Sequence, residues 1–281
     1  MKKIATLGPQ QTFSDLAAGI FVKELSASEI RYHNSINQIF ETVVAGDADF
    51  GVIPIENVLA GFVQPTLDSL VRYDVTILQE LLLPVRFSCI GHTKELGDIK
   101  QLYVQPVAKG QCENFINSLD TELIETSSNI ESYHKYLKMS GNIAAIVPHH
   151  ILADLTEQPV LSVEDVTDYA HNQTRFIVIA QPFYRQSSQK NETLQKTSVI
   201  IRDESDHSGI LSDITHTLAH GDINMLSIIS RPTRESMGKY YFFIDLDGDI
   251  TSEKMQQALN EISKKYVVKL LGSYTKVDLN I

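Results

Sequence analysis

His171-Asn172-Gln173-Thr174-Arg175-Phe176-Ile177-Val178-Ile179-Ala180 is the stretch that decides how this chain folds. From Phe176 to Ala180 it is short and continuously apolar, the pattern of a strand buried on both faces. Two successive sets of alternating strand and helix patterns lie upstream, and the chain then returns as this strand. Two α/β lobes joined by two crossings would leave a cleft between them, although the pattern alone does not assign each strand to a lobe. At the start of the returning strand a hydroxyl and a guanidinium stand side by side, suited to hold an anion and help a hydroxyl leave. On their own, Thr174 and Arg175 also fit the start of an ordinary strand with a surface ion pair.

The first set opens with a strand from Lys2 to Gly8, broken at Gly8-Pro9. Thr12 is an N-cap, and Asp15 suits the first helical turn. Ser35 caps a second helix whose apolar Ile36, Ile39, Phe40 and Val43 keep helical spacing. Phe50 to Ile55 is a strand ending at Pro54-Ile55-Glu56-Asn57, and a third helix follows around Thr66 to Val71. Such alternation builds a mainly parallel sheet covered by helices. Val75 to Gly91 is long and apolar and crosses to the second lobe. There Ile99 to Val104 and Ile143 to Val147 read as strands, Gln111 to Leu119 and His149 to Leu155 as helices.

Pro182 to Lys196 is polar, carries Ser187-Ser188-Gln189-Lys190-Asn191, and reads as a linker. Beyond it comes a βαββαβ pattern. Its strands are Ser198 to Asp203, Met225 to Ile229, Tyr240 to Leu246 and Val268 to Leu271. Its helices are Gly209 to Ala219 and a segment striped by Met255, Leu259, Ile262 and Tyr266. That order is ferredoxin-like.

At 281 residues the chain is too long for one typical core. Its net charge of −11 and lack of a Lys/Arg cluster exclude nucleic acid as a partner. An anionic ligand then needs local positive potential from an arginine or a helix N-terminus. Cys89 and Cys112 form no CxxC pair and read as buried, reduced thiols. The histidines lack metal-ligand spacing, so no metal is expected. No stretch has the length of a membrane span, and the apolar run after Met1-Lys2-Lys3 is too short for a signal peptide, so the cytoplasm is expected.

Four segments appear in a telling order: Gly8-Pro9-Gln10-Gln11-Thr12-Phe13-Ser14, Ile53-Pro54-Ile55-Glu56-Asn57, His171 to Phe176, and Ile229-Ser230-Arg231-Pro232. Together they resemble the signature of prephenate dehydratases with a C-terminal ACT regulatory domain, over nearly the whole chain. The resemblance implies a two-lobed α/β catalytic region like type II periplasmic binding proteins, followed by an α+β ferredoxin-like domain. The corresponding boundaries are 1–184 for the catalytic region, 185–196 for the linker and 197–281 for the ACT domain. Within the catalytic region, lobe one spans about 1–78 and 163–184, and lobe two about 79–162.

The implied reaction is loss of carbon dioxide and a hydroxyl from prephenate, giving phenylpyruvate on the route to L-phenylalanine. Aromatisation drives it, so no cofactor is implied. Thr174 would assist the leaving hydroxyl and Arg175 bind a carboxylate, with Glu56 and Asn57 beside them. Thr12, Ser14, Asn172 and Phe176 would contact substrate. L-phenylalanine would act as effector where two ACT domains meet in a homodimer or homotetramer, at Gly209, Ile210, Leu211, Asn224, Ser230, Arg231 and Pro232. Every catalytic motif precedes the linker, so residues 1 to about 184 are expected to work alone.

The chain departs from the family pattern at four positions. Gln11 stands where glycine is usual, Val58 where serine is, Gln105 where histidine is, and Ile229 where glutamate is. Two alternatives stay open, an arogenate dehydratase and a non-catalytic amino-acid-binding regulator.

Overall fold

Four helices start where a hydroxyl side chain accepts a backbone N–H three residues ahead: Thr12 from Asp15, Ser35 from Gln38, Ser128 from Glu131 and Ser252 from Met255. Each bond satisfies one of the donors a helix start leaves unpaired. A computed structural model describes residues 1–25, 28–155, 157–182, 195–203, 208–233 and 239–278.

Lobe one is built from β1 (Lys2–Leu7), α1 (Phe13–Lys23), β2 (Ser28–His33), α2 (Ile36–Val44), β3 (Phe50–Asn57), β4 (Gly61–Phe62), α3 (Gln64–Arg72) and β5 (Thr76–Pro84). Lobe two follows with β6 (Phe87–Gly91), β7 (Gln101–Val104), α4 (Pro106–Gln111), α5 (Glu113–Asn117), β8 (Glu122–Glu125), α6 (Asn129–Lys138), β9 (Ile143–Pro148) and β10 (Leu161–Val163). The chain returns through β11 (Gln173–Ala180). The C-terminal domain holds β12 (Gln195–Arg202), α7 (Ile210–His220), β13 (Met225–Pro232), β14 (Tyr240–Asp247), α8 (Glu253–Ser263) and β15 (Val267–Asp278).

Two lobes with separate sheets confirm the expected fold class. Lobe two has its own five-stranded sheet in the order β10-β6-β9-β7-β8. The crossing falls at Val85-Arg86 instead of residue 78, because β5 stays in lobe one until Pro84 and pairs along its length with β11. Val75 to Gly91 is one apolar run, and only the pairing partners mark where it changes sheet. The helix expected over Gln111 to Leu119 starts earlier, as α4, and is interrupted at Cys112 before α5. The helix expected over His149 to Leu155 is a 3-10 turn.

The C-terminal domain has the expected βαββαβ order, but its sheet does not end where expected. Strand β15 runs on to Asp278 and pairs in parallel with β5 through Thr275–Asp278 against Gln79–Leu82. One ten-stranded sheet therefore spans lobe one and the C-terminal domain, in the order β13-β14-β12-β15-β5-β11-β3-β1-β2, with β4 beside β3. Both regions feed one core: Ile53, Ile55, Leu67, Leu70, Ile77 and Ile177 pack with Ile200, Tyr241, Phe243, Leu271 and Tyr274. Residues 185–194 of the expected linker lie outside the described residues, while Gln195 and Lys196 already belong to β12. Cys89 and Cys112 are free and buried, and burial pushes both thiols up to about 12. Among the described residues, no helix is long and apolar enough to cross a membrane.

Candidate active site

Strand β11 alternates its side chains between the two faces of the sheet, and that alternation separates Thr174 from Arg175. On one face Phe176 and Val178 pack under α1. On the other, Ile177 and Ile179 join the core shared with the C-terminal domain. Thr174 lies beyond the helix-covered part of the first face, at the mouth of a cleft of about 420 Å³ between the lobes. Thr12 and Phe13 of lobe one and Gln105, Gln111, Ser127, Ser128 and Asn129 of lobe two also line this cleft, with Val85, Phe87 and Pro148 beside the hinge. No Arg, Lys, Asp or Glu is among the described residues lining it.

Asn57 is paired with Thr174 across β3 and β11. Its Oδ1 accepts from the backbone N–H of Leu59 and of Ala60, both at 3.0 Å, which fixes which end of the amide is oxygen. Its Nδ2 then faces Thr174 Oγ1 at 2.9 Å, Asn172 Oδ1 at 3.0 Å and the Gln173 carbonyl at 3.1 Å. An amide N–H donating to Oγ1 occupies a lone pair and leaves the threonine proton to point elsewhere. The cleft is the direction left open.

Asn172 is buried, so it does not contact a ligand in the cleft. It accepts from Asn57 and donates to Gln111 Oε1 at 3.0 Å, tying the two lobes across the hinge. Phe176, expected at the substrate, is a core residue at 1 % exposure. Ser14 is also buried and lies behind the cleft wall, its carbonyl accepting from Thr6. Strand and helix geometry put all three one layer beneath the surface their motif neighbours form.

Arg175 departs furthest from expectation. In place of a substrate carboxylate it meets three protein carboxylates: Asp245 at 2.7 Å, Glu56 at 3.2 Å and Glu80 at 3.4 Å. Glu80 and Asp245 are fully buried, and Lys196 adds a second cation 2.9 Å from Glu80. Burial opposes the charge on Arg175, but Asp245, Tyr274 and Glu80 together outweigh it and hold the guanidinium protonated. Glu56 shares the Arg175 face, opposite Asn57. Burial pushes its carboxyl above the usual range against the pull of Arg175.

Helix N-termini supply the positive potential that side chains do not. In α1 the first intrahelical bond runs from Leu16 to Thr12, and Asp15 N–H is taken by the Thr12 hydroxyl. The N–H groups of Phe13 and Ser14 precede both. In α6 the same holds for Asn129 and Ile130, because Glu131 binds the Ser128 hydroxyl and Ser132 its carbonyl. Gln105 is the N-cap of α4 and fills that helix's own donors at Val107 and Ala108. The α6 contribution was missed in the sequence, although Ser128-Asn129-Ile130-Glu131 carries the serine-to-glutamate spacing of a capping box.

Gln11 has a φ of +68°, the left-handed conformation the usual glycine would adopt freely. Its N–H donates to Asp15 at 2.7 Å and its carbonyl meets His150 Nε2 at 2.9 Å, so both lobes hold it. A larger hollow of about 670 Å³ lies nearby, bordered by Lys23, Arg86, His149 and His150, but Thr174 does not reach it.

In the C-terminal domain, Ile210 and Ser230 border a cavity of about 260 Å³ with Asp203, Lys239, Tyr240 and Phe242. Gly209 precedes it with a φ of +104°. Leu211 and Pro232 are exposed, and Asn224 lies at the opposite end of β13. Arg231 points away from this cavity and holds Asp68 of α3 at 3.2 Å. Ile229, on the same face, packs against the shared core.

A family model described as prephenate dehydratase matches residues 4–183, and one described as ACT domain matches residues 198–264. The chain belongs to the prephenate dehydratase family. A prephenate dehydratase of Methanocaldococcus jannaschii is 30% identical over 96% of this chain and 97% of its own length. The crystal structure of an Arthrobacter aurescens prephenate dehydratase in complex with L-Phe is 29% identical, with a TM-score of 0.82 over 97% of this chain and 90% of that one. A prephenate dehydratase from Staphylococcus aureus is 27% identical, with a TM-score of 0.80 over 98% of this chain and 100% of the other. As a prephenate dehydratase the chain is a lyase, and its C-terminal domain is an ACT domain.

Proposed function

We propose that this chain converts prephenate to phenylpyruvate, carbon dioxide and water, with the Thr174 hydroxyl as hydrogen-bond donor to the leaving 4-hydroxyl. The carrying observation is the bond from Asn57 Nδ2 to Thr174 Oγ1, which leaves the threonine proton for the cleft. As the bond to the ring carboxylate breaks and carbon dioxide leaves, its electron pair enters the ring and expels the hydroxyl, which takes up a proton from solvent to depart as water. Charge builds on the departing oxygen, and a positioned donor stabilises it.

The two substrate carboxylates match the two open helix starts, Phe13 and Ser14 on α1 and Asn129 and Ile130 on α6. Thr12 and Ser14 serve through that helix start. Arg175 and Glu56 act from behind the strand, and Asn172 and Phe176 hold its position. L-phenylalanine fits the ACT-domain cavity, where Asp203, Lys239 and two aromatic rings complement its ammonium, carboxylate and ring. The L-Phe complex of the Arthrobacter aurescens relative supports that assignment. Exposed Leu211 and Tyr240 near this cavity, exposed Leu226 at the far end of β13, and the edge position of that strand suit pairing of ACT domains in a homodimer or homotetramer. Free buried thiols suit the cytoplasm.

The test is Thr174→Ala with prephenate, following phenylpyruvate by its absorbance in base. Loss of a donor aimed at the developing charge is expected to lower kcat on the order of 10²–10³-fold with an unchanged melting temperature. An unchanged kcat overturns the assignment.

A further inference from the structure

We infer that Asp245, on the ACT-domain strand β14, is a positioning residue for the dehydration, acting through Arg175 on the aim of Thr174. This rests on the reading of Thr174 as the donor to the leaving hydroxyl. Three alternate residues of β14 that face lobe one each grip a different segment of it. Tyr241 donates to Asp68 of α3 at 3.0 Å, the Phe243 ring meets Phe62 of β4 edge-on at 5.8 Å, and Asp245 holds Arg175 of β11 at 2.7 Å. The last of these is the most direct, because Arg175 is bonded in sequence to Thr174.

Asp245 is itself fixed from both sides. Ser198 donates to one carboxylate oxygen and Ser227 donates to the other at 3.0 Å, each from the residue paired with Asp245 on a neighbouring strand. The ladder between β11 and β3 shifts register between Arg175 and Phe176, so at this point regular pairing holds β11 on its β5 side only. A fully buried carboxylate on an almost fully buried guanidinium adds a constraint from outside the ladder. With that anchor loosened, Arg175 has only Glu56 and Glu80 to turn toward, and Thr174 on the opposite face turns with it. A small misplacement of a reacting group costs rate far more than binding. Ser227 also lies on β13, the strand that carries Ser230 into the effector cavity, so a shift of that strand reaches Thr174 by the same contacts.

The experiment is a kinetic cycle on the full-length chain with Asp245→Asn, Thr174→Ala and the double variant. Asp245→Asn keeps the size but removes the charge and turns one of the two acceptor oxygens into a donor. It is expected to lower kcat about tenfold or more with KM nearly unchanged, and to change nothing further when Thr174 is already alanine. Ser227→Ala, a milder change, is expected to give a smaller loss with the same dependence on Thr174, and it decides the matter if Asp245→Asn does not fold. An unaltered kcat in a folded variant, or an equal loss with and without Thr174, overturns the inference. A fully active Thr174→Ala instead removes the reading on which it rests, a separate and distinguishable outcome.

Discussion

A Cβ atom on Gly272 would stand 2.2 Å from the carbonyl oxygen of Ile77. Gly272 has a φ of +152° and lies at the irregularity in the β15–β12 ladder, three residues before β15 begins to pair with β5. The backbones of the two regions touch here with no room for a side chain. Gly272→Ala is therefore expected to destabilise the whole chain by roughly 1–3 kcal/mol, the range of an overpacked core. A lower melting temperature, with faster amide exchange at Thr275–Asp278, is the result to look for. A variant that melts with the parent shows that this close approach is dispensable.

Asn57 offers a test in which the conservative change is worse than the drastic one. In Asn57→Ala the Thr174 oxygen loses its donor, but its proton remains available to the cleft, and kcat is expected to fall about tenfold. In Asn57→Asp the new carboxylate accepts the Thr174 proton and turns it away from the substrate. The expected loss in kcat then approaches that of Thr174→Ala, on the order of 10²-fold or more. Saturating prephenate separates this from any repulsion of the dianion, which raises KM. Equal kcat values for the two variants contradict the proposed direction of the proton.

How far the sequence reveals such a site depends on which contacts are local. The caps at Thr12 and Ser35, the apolar stripe of α2 and the βαββαβ order were legible because each depends on residues within a few positions. The face to which Arg175 points was not. Thr174-Arg175 names two neighbours, and strand alternation requires that they diverge, but only the packing of α1 on one side and the ACT domain on the other decides which meets the cleft. The extension of β15 was hidden for a similar reason, since its partner β5 is nearly two hundred residues earlier. Its one local sign was Gly272 within a strand pattern, a mark of close backbone approach. The α6 start at Ser128 was readable from its capping spacing and was overlooked.

Gln11 is strained by its own backbone. A left-handed residue other than glycine costs roughly 1–2 kcal/mol, part of which glycine returns through its greater freedom in the unfolded chain. Gln11→Gly is expected to stabilise the protein by about 0.5–1 kcal/mol, because the contacts holding this position use its backbone N–H and carbonyl. Turnover should be kept. A rise of a few degrees in melting temperature is the expected readout, and a fall shows that the Gln11 side chain contributes more than the strain costs.

Residues 1–184 carry every group proposed to touch prephenate, yet they are not expected to stand alone. Without the ACT domain, Ile53, Leu67, Leu70 and Ile77 lose the side of their core formed by Ile200, Tyr241, Phe243, Leu271 and Tyr274. Glu80 loses Lys196, and Arg175 loses Asp245, which leaves buried charges short of partners. Helix α3 loses the cation at its C-terminus as well. Lys269 Nζ reaches the carbonyls of Leu70, Val71 and Tyr73 at 2.8, 3.3 and 2.6 Å, and burial lowers the pKa of this ammonium. Removing one partner of a buried ion pair alone costs about 3–5 kcal/mol, a large share of the stability of an ordinary domain. The fragment is expected to melt far below the full chain or to remain unfolded by circular dichroism, with its phenylpyruvate formation reduced accordingly. Adding residues 195–281 as a separate chain is expected to restore part of both. A fragment as stable and as active as the whole protein would mean that the shared sheet and its ion cluster contribute nothing the catalytic lobes need.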